Sequence, residues 1–267
     1  MIAARLLTAA ALLAAFVGAL LWLDRADFGA AIALVIGLGA LEWGRLCGLT
    51  KAPAAGYAAA CAALVLWIQA SCADRPRPLA LCIVALFWLV VVPGWLARGV
   101  TPRARPWLLA AGLAVLLPAG FAVVAMPPRI VLLTLGLIWV ADTAAYVAGS
   151  ALGRHKLAPS ISPGKTWEGV AGGAVACVIY AIMCAMLSPG LGALARGAAW
   201  IAFPAGALLL CAAGVLGDLF ESALKRQAGA KDSGTLLPGH GGVLDRIDSA
   251  TATLPLALLL LQALGAA

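Results

Sequence analysis

The sequence predicts an all-α, polytopic integral membrane protein, a bundle of about nine transmembrane helices. Three observations carry that expectation. Mean hydropathy is +1.05. Hydrophobic residues make up 64% of the chain and charged residues only 11%. The apolar residues also gather in runs close to the ~20 residues a helix needs to cross the hydrocarbon layer. Those runs lack period-2 alternation, and open strands cannot satisfy their backbone in lipid, so helices are favoured over a barrel.

The first run, 5–23, follows Arg5 and reaches Leu23 with no small-residue cleavage site before Asp24. It therefore reads as a retained span and not a signal peptide. Runs 28–49, 53–73, 79–97 and 107–126 follow. The joints Asp24-Arg25, Arg75-Pro76-Arg77-Pro78 and Thr101-Pro102-Arg103 carry the punctuation of turns. In the second run Glu42 and Arg45 form an i, i+3 pair, most simply a mutually neutralised contact. Pro127-Pro128-Arg129 introduces 130–151, and 168–187, 198–224 and 248–266 complete the set.

The seven cysteines (Cys47, Cys61, Cys72, Cys82, Cys177, Cys184 and Cys211) lie in or beside these runs, odd in number and without a Cys-x-x-Cys pair. They read as small buried apolar side chains. The formal charge of +7 is dispersed over short loops. No extended basic domain exists to lie along a nucleic-acid backbone, so nucleic acid is not an expected partner. Most of the Lys and Arg fall on the N-terminal side of the expected topology, against Arg25, Arg75, Arg77, Arg129 and Arg196 on the other. The N-terminus is therefore expected inside and the C-terminus outside. That bias comes mainly from two loops whose basic residues have a second, chemical reason to be there.

Ionisable residues at membrane depth mark functional sites, and here they concentrate in the second half. Asp218, Glu221, Ser222 and Lys225 recur at i, i+3, i+4 and i+7, one stripe of a helix. The alternative reading of that stripe is an internally neutralised face packed on another span. Asp245 and Asp248 open the last run, where helix capping is the plainer role. If Asp218 and Asp245 converge from adjacent helices, they suit magnesium, which takes one or two carboxylates with waters and phosphate oxygens. Asp142 and Glu221 are further metal candidates, Asp142 equally readable as a structural ion-pair partner. Gly164-Lys165-Thr166 ends like a phosphate loop, but the first glycine would fall at Pro159 and no strand is expected before it. Ser162, Lys165 and Thr166 can still bind phosphate at the start of a helix. His240, set among Gly239, Gly241 and Gly242, can approach phosphate closely.

Ser222, Lys225-Arg226, Lys231-Asp232, His240-Gly241-Gly242 and Asp245-Arg246-Ile247-Asp248, at these spacings, resemble the signature of the phosphatidate cytidylyltransferases (CDP-diacylglycerol synthases). The run from Asp142 to Gly173 resembles that family too, with one departure, Gly164, where a second basic residue is expected. The first half resembles the family only as generic apolar helices. The resemblance implies that CTP and phosphatidic acid are joined to give CDP-diacylglycerol and pyrophosphate, with Mg2+ and room for a second cation. It implies a catalytic set of Asp218, Lys225, Arg226, Lys231, Asp232, Asp245 and Asp248. Substrate contacts fall to Ser162, Lys165, Thr166, Ser222, His240 and Arg246. Residues 1–128 then read as scaffold, with surfaces open to a second copy in a homodimer. Residues 129–267 read as the catalytic part, with cytoplasmic loops 152–167 and 225–247. The expected location is the bacterial cytoplasmic (inner) membrane. Two alternatives remain: a CTP-dependent kinase of a polyisoprenoid alcohol, and a secondary transporter with an intramembrane carboxylate relay. Against the transporter stand the charge asymmetry and the lack of related halves.

Overall fold

The computed structural model describes residues 2–71, 78–101, 105–188, 199–237, 239 and 241–264, with side chains from residue 8 onward except at 199 and 200. His240, Cys72, Arg75, Arg77, Arg103 and Arg196 lie outside the described residues. Nine helices run through the described residues: α1 (Ile2–Trp22), α2 (Arg25–Leu46), α3 (Lys51–Ser71), α4 (Pro78–Arg98), α5 (Arg105–Ala125), α6 (Pro128–Leu152), α7 (Trp167–Leu187), α8 (Ala199–Gln227) and α9 (Leu244–Ala263). Each expected apolar run coincides with one of them. Helices α2 to α8 each provide a segment long and apolar enough to cross a membrane. The protein is thus a polytopic helical membrane protein.

Helix α1 has a shorter described apolar stretch, Thr8–Trp22. Helix α9 falls short of the apolarity of the others because it carries Asp245, Arg246, Asp248, Ser249, Thr251 and Thr253. Its position explains why that composition is tolerated. It packs against α2, α4, α5, α6 and α8, and Leu244, Ser249 and every residue from Thr251 to Leu258 are buried. Protein, not lipid, surrounds Ser249, Thr251 and Thr253. The Thr251 and Thr253 hydroxyls donate back to the carbonyls of Asp248 (2.6 Å) and Ser249 (2.8 Å), a local satisfaction open to Ser and Thr inside helices.

Side chains from the first half brace the bundle. Trp43 Nε1 donates to the Leu108 carbonyl at 2.8 Å, and the Tyr57 hydroxyl to that of Leu109 at 2.8 Å. Both bonds tie α2 and α3 to α5. In α4, Pro93 has no N–H to give the carbonyl four residues back, and the helix widens into a π turn over Phe87–Val91 just before it. Around Phe220 of α8, 1% exposed, the rings of Trp43, Phe87, Trp88 and Trp95 stand 5.6–6.2 Å away, centroid to centroid, tilted or edge-on. Such geometries are preferred by aromatic pairs.

The described cysteines are free. In the turn after α2, burial pushes the Cys47 thiol up to about 12, so it stays protonated and unreactive.

Emptying the aromatic cage is the direct test of this packing. Phe220→Ala should lower stability by about 3–5 kcal/mol, the usual cost of an aromatic truncated in a core. Ile179→Ala, at an exposed position of α7, should be far milder. Thermal unfolding of the purified protein in detergent measures both.

Candidate active site

Three segments meet at one end of the bundle: the connection between α6 and α7, the last turns of α8, and the loop leading into α9. The first of these was expected to be a plain loop. It folds instead into a short antiparallel hairpin, β1 (Lys156–Ala158) with β2 (Ser162–Thr166), paired as Lys156 with Thr166 and Ala158 with Ser162. The hairpin is fixed to α7. The buried Thr166 hydroxyl caps that helix by accepting from the Gly169 N–H at 3.1 Å. The Trp167 N–H donates to the His155 carbonyl at 2.9 Å, and His155 Nδ1 lies 2.6 Å from the Glu168 carboxylate. Thr166 is therefore engaged as a helix cap.

The hairpin carries Lys165 onto α8, where its Nζ lies 2.6 Å from Asp218 Oδ2. The Ser222 hydroxyl donates to Asp218 Oδ1 at 3.2 Å. Asp142 of α6 and Asp248 of α9 both stand within charge–charge reach of Asp218 and Lys165. Gly217 is what lets α9 come this close. A Cβ there would sit 2.5 Å from the Asp248 carbonyl oxygen and 3.2 Å from Ser249 Cα, a contact that only glycine accommodates.

One turn further along α8 is a second, drier cluster. Lys225 pairs with Glu221 on its own helix and with Asp245 Oδ1 of α9 at 2.7 Å. Glu221 is 2% exposed and Lys225 9%, and Glu221 Oε1 has no hydrogen-bond partner among the described residues. Asp245 Oδ2 accepts from the Gly242 N–H (2.8 Å), the Ser233 N–H (2.9 Å) and the Ser233 hydroxyl (3.0 Å). The same hydroxyl lies 2.9 Å from Glu42 Oε2, and Glu42 also accepts from the Val243 N–H (3.0 Å) and the Leu244 N–H (2.9 Å). The predicted stripe on α8 is thus a single face that splits into two i, i+4 pairs, Asp218 with Ser222 and Glu221 with Lys225.

Several expectations take a different shape. Asp218 and Asp245 do not share a partner among the described residues: Lys165 and Ser222 hold the first, Lys225, Ser233 and Gly242 the second. The α9 aspartate that shares the field of Asp218 is Asp248. Helix α9 begins at Leu244, four residues earlier than expected, which turns Asp245 toward Lys225 and leaves Asp248 one turn on, against α8. Arg226 is exposed and spends its donors on the carbonyls of Ile161 and Ala230, each at 3.2 Å. It ties the hairpin to the loop after α8. Ser162 lies half-buried in β2, and Lys231, Asp232 and Arg246 are exposed. A Cβ at Gly164 would meet nothing within 4 Å, so the departure at that position is not imposed by packing.

Glu42 was read as a partner of Arg45. Arg45 is exposed, whereas Glu42 is 1% exposed and turned inward. A carboxylate inside an apolar run was the available signal. Ser233 carried no signal at all.

Asp142, Glu221, Asp218, Asp245 and Asp248 face two ammonium groups, Lys165 and Lys225. That excess of negative charge suits a hard cation. Among the described residues no three His, Cys, Asp or Glu side chains close into a ready-made cage. Magnesium needs only one or two carboxylates beside waters and phosphate oxygens, a role that Asp218 and Asp248 would fill. The orphaned Glu221 oxygen offers a further ligand.

Comparison with known proteins shows the family. The chain is 38% identical over 295 residues to a phosphatidate cytidylyltransferase of Pseudomonas aeruginosa, covering 99% of this chain and 98% of that protein. It is 48% identical over 119 residues to one of Haemophilus influenzae (45% of this chain, 41% of the relative). It is 51% identical over 122 residues to one of Brucella suis (46% and 43%). The profile of the cytidylyltransferase family matches residues 3–264, and the chain belongs to that family.

Proposed function

We propose that this protein transfers the cytidylyl group of CTP to phosphatidic acid, giving CDP-diacylglycerol and pyrophosphate. The similarity along nearly the whole length of a phosphatidate cytidylyltransferase supports the reaction. The observation that supports the site is the convergence of Lys165, Asp218 and Asp248 from three separate segments.

A phosphate monoester has a second pKa near ~6, so the lipid phosphate is largely dianionic at neutral pH and needs no general base. Its oxygen attacks the α-phosphorus of CTP, the bond from that phosphorus to the bridging oxygen breaks, and pyrophosphate leaves with the bond electrons. The difficulty is bringing one anion against another. Asp218 and Asp248, with Asp142 beside them, would hold Mg2+, which supplies charge neutralisation at the phosphate oxygens. Lys165 is a partly exposed cation on the hairpin and can pass from Asp218 to a nucleotide phosphate. Lys225 is buried between two carboxylates and serves chiefly to hold Asp245. Ser222 orients Asp218. Arg226 keeps the hairpin and the loop after α8 in register, while the exposed Lys231 and Arg246 add positive potential for the triphosphate.

Beside Asp142 lies a small apolar recess lined by Leu137, Ile138, Ala141, Leu210 and Val215. The site is assigned to the cytoplasmic face of the inner membrane, where CTP is dissolved.

Purified protein given phosphatidic acid, magnesium and CTP labelled separately at the α and γ phosphates tests the reaction. Label from the α position should enter the lipid with release of pyrophosphate. Label from the γ position in the lipid would make the protein a kinase, and label from neither would return the transporter reading.

Asp218→Asn and Asp248→Asn should each lower turnover by about a hundredfold or more, the scale of a lost electrostatic contact to a reacting group. Arg105→Ala, at an exposed position that pairs with none of these carboxylates among the described residues, should stay within about twofold, since exposed charges contribute little. Steady-state rates at saturating CTP and matched magnesium decide this. Wild-type turnover in either Asn variant removes that residue from the site.

The orientation is tested by single cysteines in a cysteine-free background. Gly265→Cys should react with an impermeant thiol reagent in intact cells, and Ala230→Cys should be protected. The reverse pattern would place the site on the wrong face for CTP.

A further inference from the structure

We infer that Glu42, on α2 in the half read as scaffold, is a positioning residue for the transfer site, the group on which the loop 233–244 and the start of α9 are built. This rests on the reading of the site as one for cytidylyl transfer. A helix leaves its first N–H groups without intrahelical partners, and a Ser, Thr, Asp or Asn at the N-cap normally meets them. The N-cap of α9 is Val243, which has no side chain able to do so. Glu42 supplies the acceptor from another helix: Val243 N–H reaches its Oε1 and Leu244 N–H its Oε2. The cap comes from across the fold, 201 and 202 residues away in sequence.

The charge is poorly placed for its own helix and well placed for α9. Glu42 lies in the last turns of α2, where the helix dipole disfavours an anion, and at the start of α9, where the dipole favours one. An acid 1% exposed in an apolar span has no reason to be there unless its partners require it.

Two glycines are moulded on it. A Cβ at Gly234 would lie 2.5 Å from Glu42 Oε1, and one at Gly242 would collide with Ser233 Oγ and lie 2.5 Å from Glu42 Oε2. Gly242 belongs to the His-Gly-Gly motif, and its lack of a side chain is here explained by the Ser233 hydroxyl and the Glu42 carboxylate packed against it and not by a substrate. From Glu42 the chain of contacts runs through the Ser233 hydroxyl to Asp245, then through Lys225 to Glu221. Gln227 adds a second tie, its Nε2 donating to the Leu46 carbonyl at 2.8 Å. The end of α8 and the start of α9 are thus both seated on the last turn of α2. Asp248 lies one turn beyond the cap that Glu42 provides, so a loosened cap displaces it.

The test uses full-length protein in detergent with Glu42→Gln, Glu42→Ala, Gly242→Ala and the double variant Glu42→Ala/Gly242→Ala, with Arg45→Ala as control. Glu42→Gln keeps the shape but turns an NH2 toward N–H and O–H donors. Its kcat is expected to fall about 30-fold or more, as for a slightly displaced reacting group, with KM for CTP within about threefold. Amide exchange at Val243 and Leu244 should accelerate about tenfold or more while the middle of α9 stays protected, the pattern of local opening. Gly242→Ala should lower kcat comparably when Glu42 is present and by less than about twofold when Glu42 is already Ala, because the Ser233 hydroxyl can then turn into the space Glu42 leaves, a non-additivity expected of groups in contact. Arg45→Ala should behave as wild type. Wild-type kcat in Glu42→Gln or in Gly242→Ala, unchanged exchange at 243–244, or additive losses in the double variant would each overturn the assignment. Should Glu42→Gln fail to fold, Gly242→Ala decides alone, because it displaces the loop with every carboxylate in place. Amide exchange needs no substrate, so it judges Glu42 even if wild-type protein proves inactive toward CTP and phosphatidic acid.

Discussion

Charge buried at one end of an apolar bundle has to be matched inside the protein, and Lys225 is where that matching is concentrated. Its ammonium lies between Glu221 of its own helix and Asp245 of the next. Removing one partner from such a buried arrangement is far costlier than the whole arrangement is worth, because it strands an uncompensated charge. Helices α8 and α9 are therefore held at one spacing and one rotation, and both depend on Gly217 for the approach. Everything proposed for Asp218 and Asp248 presupposes that fixed geometry. The hairpin is the softer part. It touches α8 through Lys165 and Arg226, side chains that are partly or fully exposed, so its hold is weaker than that of the buried pair.

That division suits a reaction between a soluble nucleotide and a lipid. The carboxylates stand on helices whose rotation is set by packing, and the cation that can exchange partners stands on a short hairpin joined to the start of α7. Rigid acceptors and an adjustable donor let the charge balance change when a polyphosphate arrives, without repacking of the bundle.

The architecture was legible because membrane helices are written in composition. Each expected run overlaps an observed helix, and the ends differ by a few residues where polar caps decide. The end that mattered most was the start of α9. With the helix starting at Leu244, Asp245 meets Lys225 of α8 and Asp248 the field of Asp218, and rotation of a helix about its axis cannot be read from apolar length. The hairpin escaped because strands of three and five residues containing Pro163 leave no alternation to detect. Glu42 was misassigned for a related reason. Pairing by i, i+3 looks only along the helix, while its partners Ser233, Val243 and Leu244 lie 191 to 202 residues downstream. The signature between Ser222 and Asp248 pointed to the family, but not to the residues packed beneath that segment.

The π turn at Phe87–Val91 gives α4 an unusual tolerance of length. Each residue of an α-helix turns the chain by about 100°, and a π turn holds one residue more than the regular ladder accommodates. Deleting a single residue there would remove that extra residue and restore the regular ladder, leaving Pro78–Leu86 nearly in phase with Val92–Arg98. A deletion between Leu81 and Phe87 has no such slack: it would rotate Leu81, now 4% exposed, by about 100° and carry it out of the interior. The same loss of one residue is thus absorbed in the turn and disruptive in the regular helix just before it.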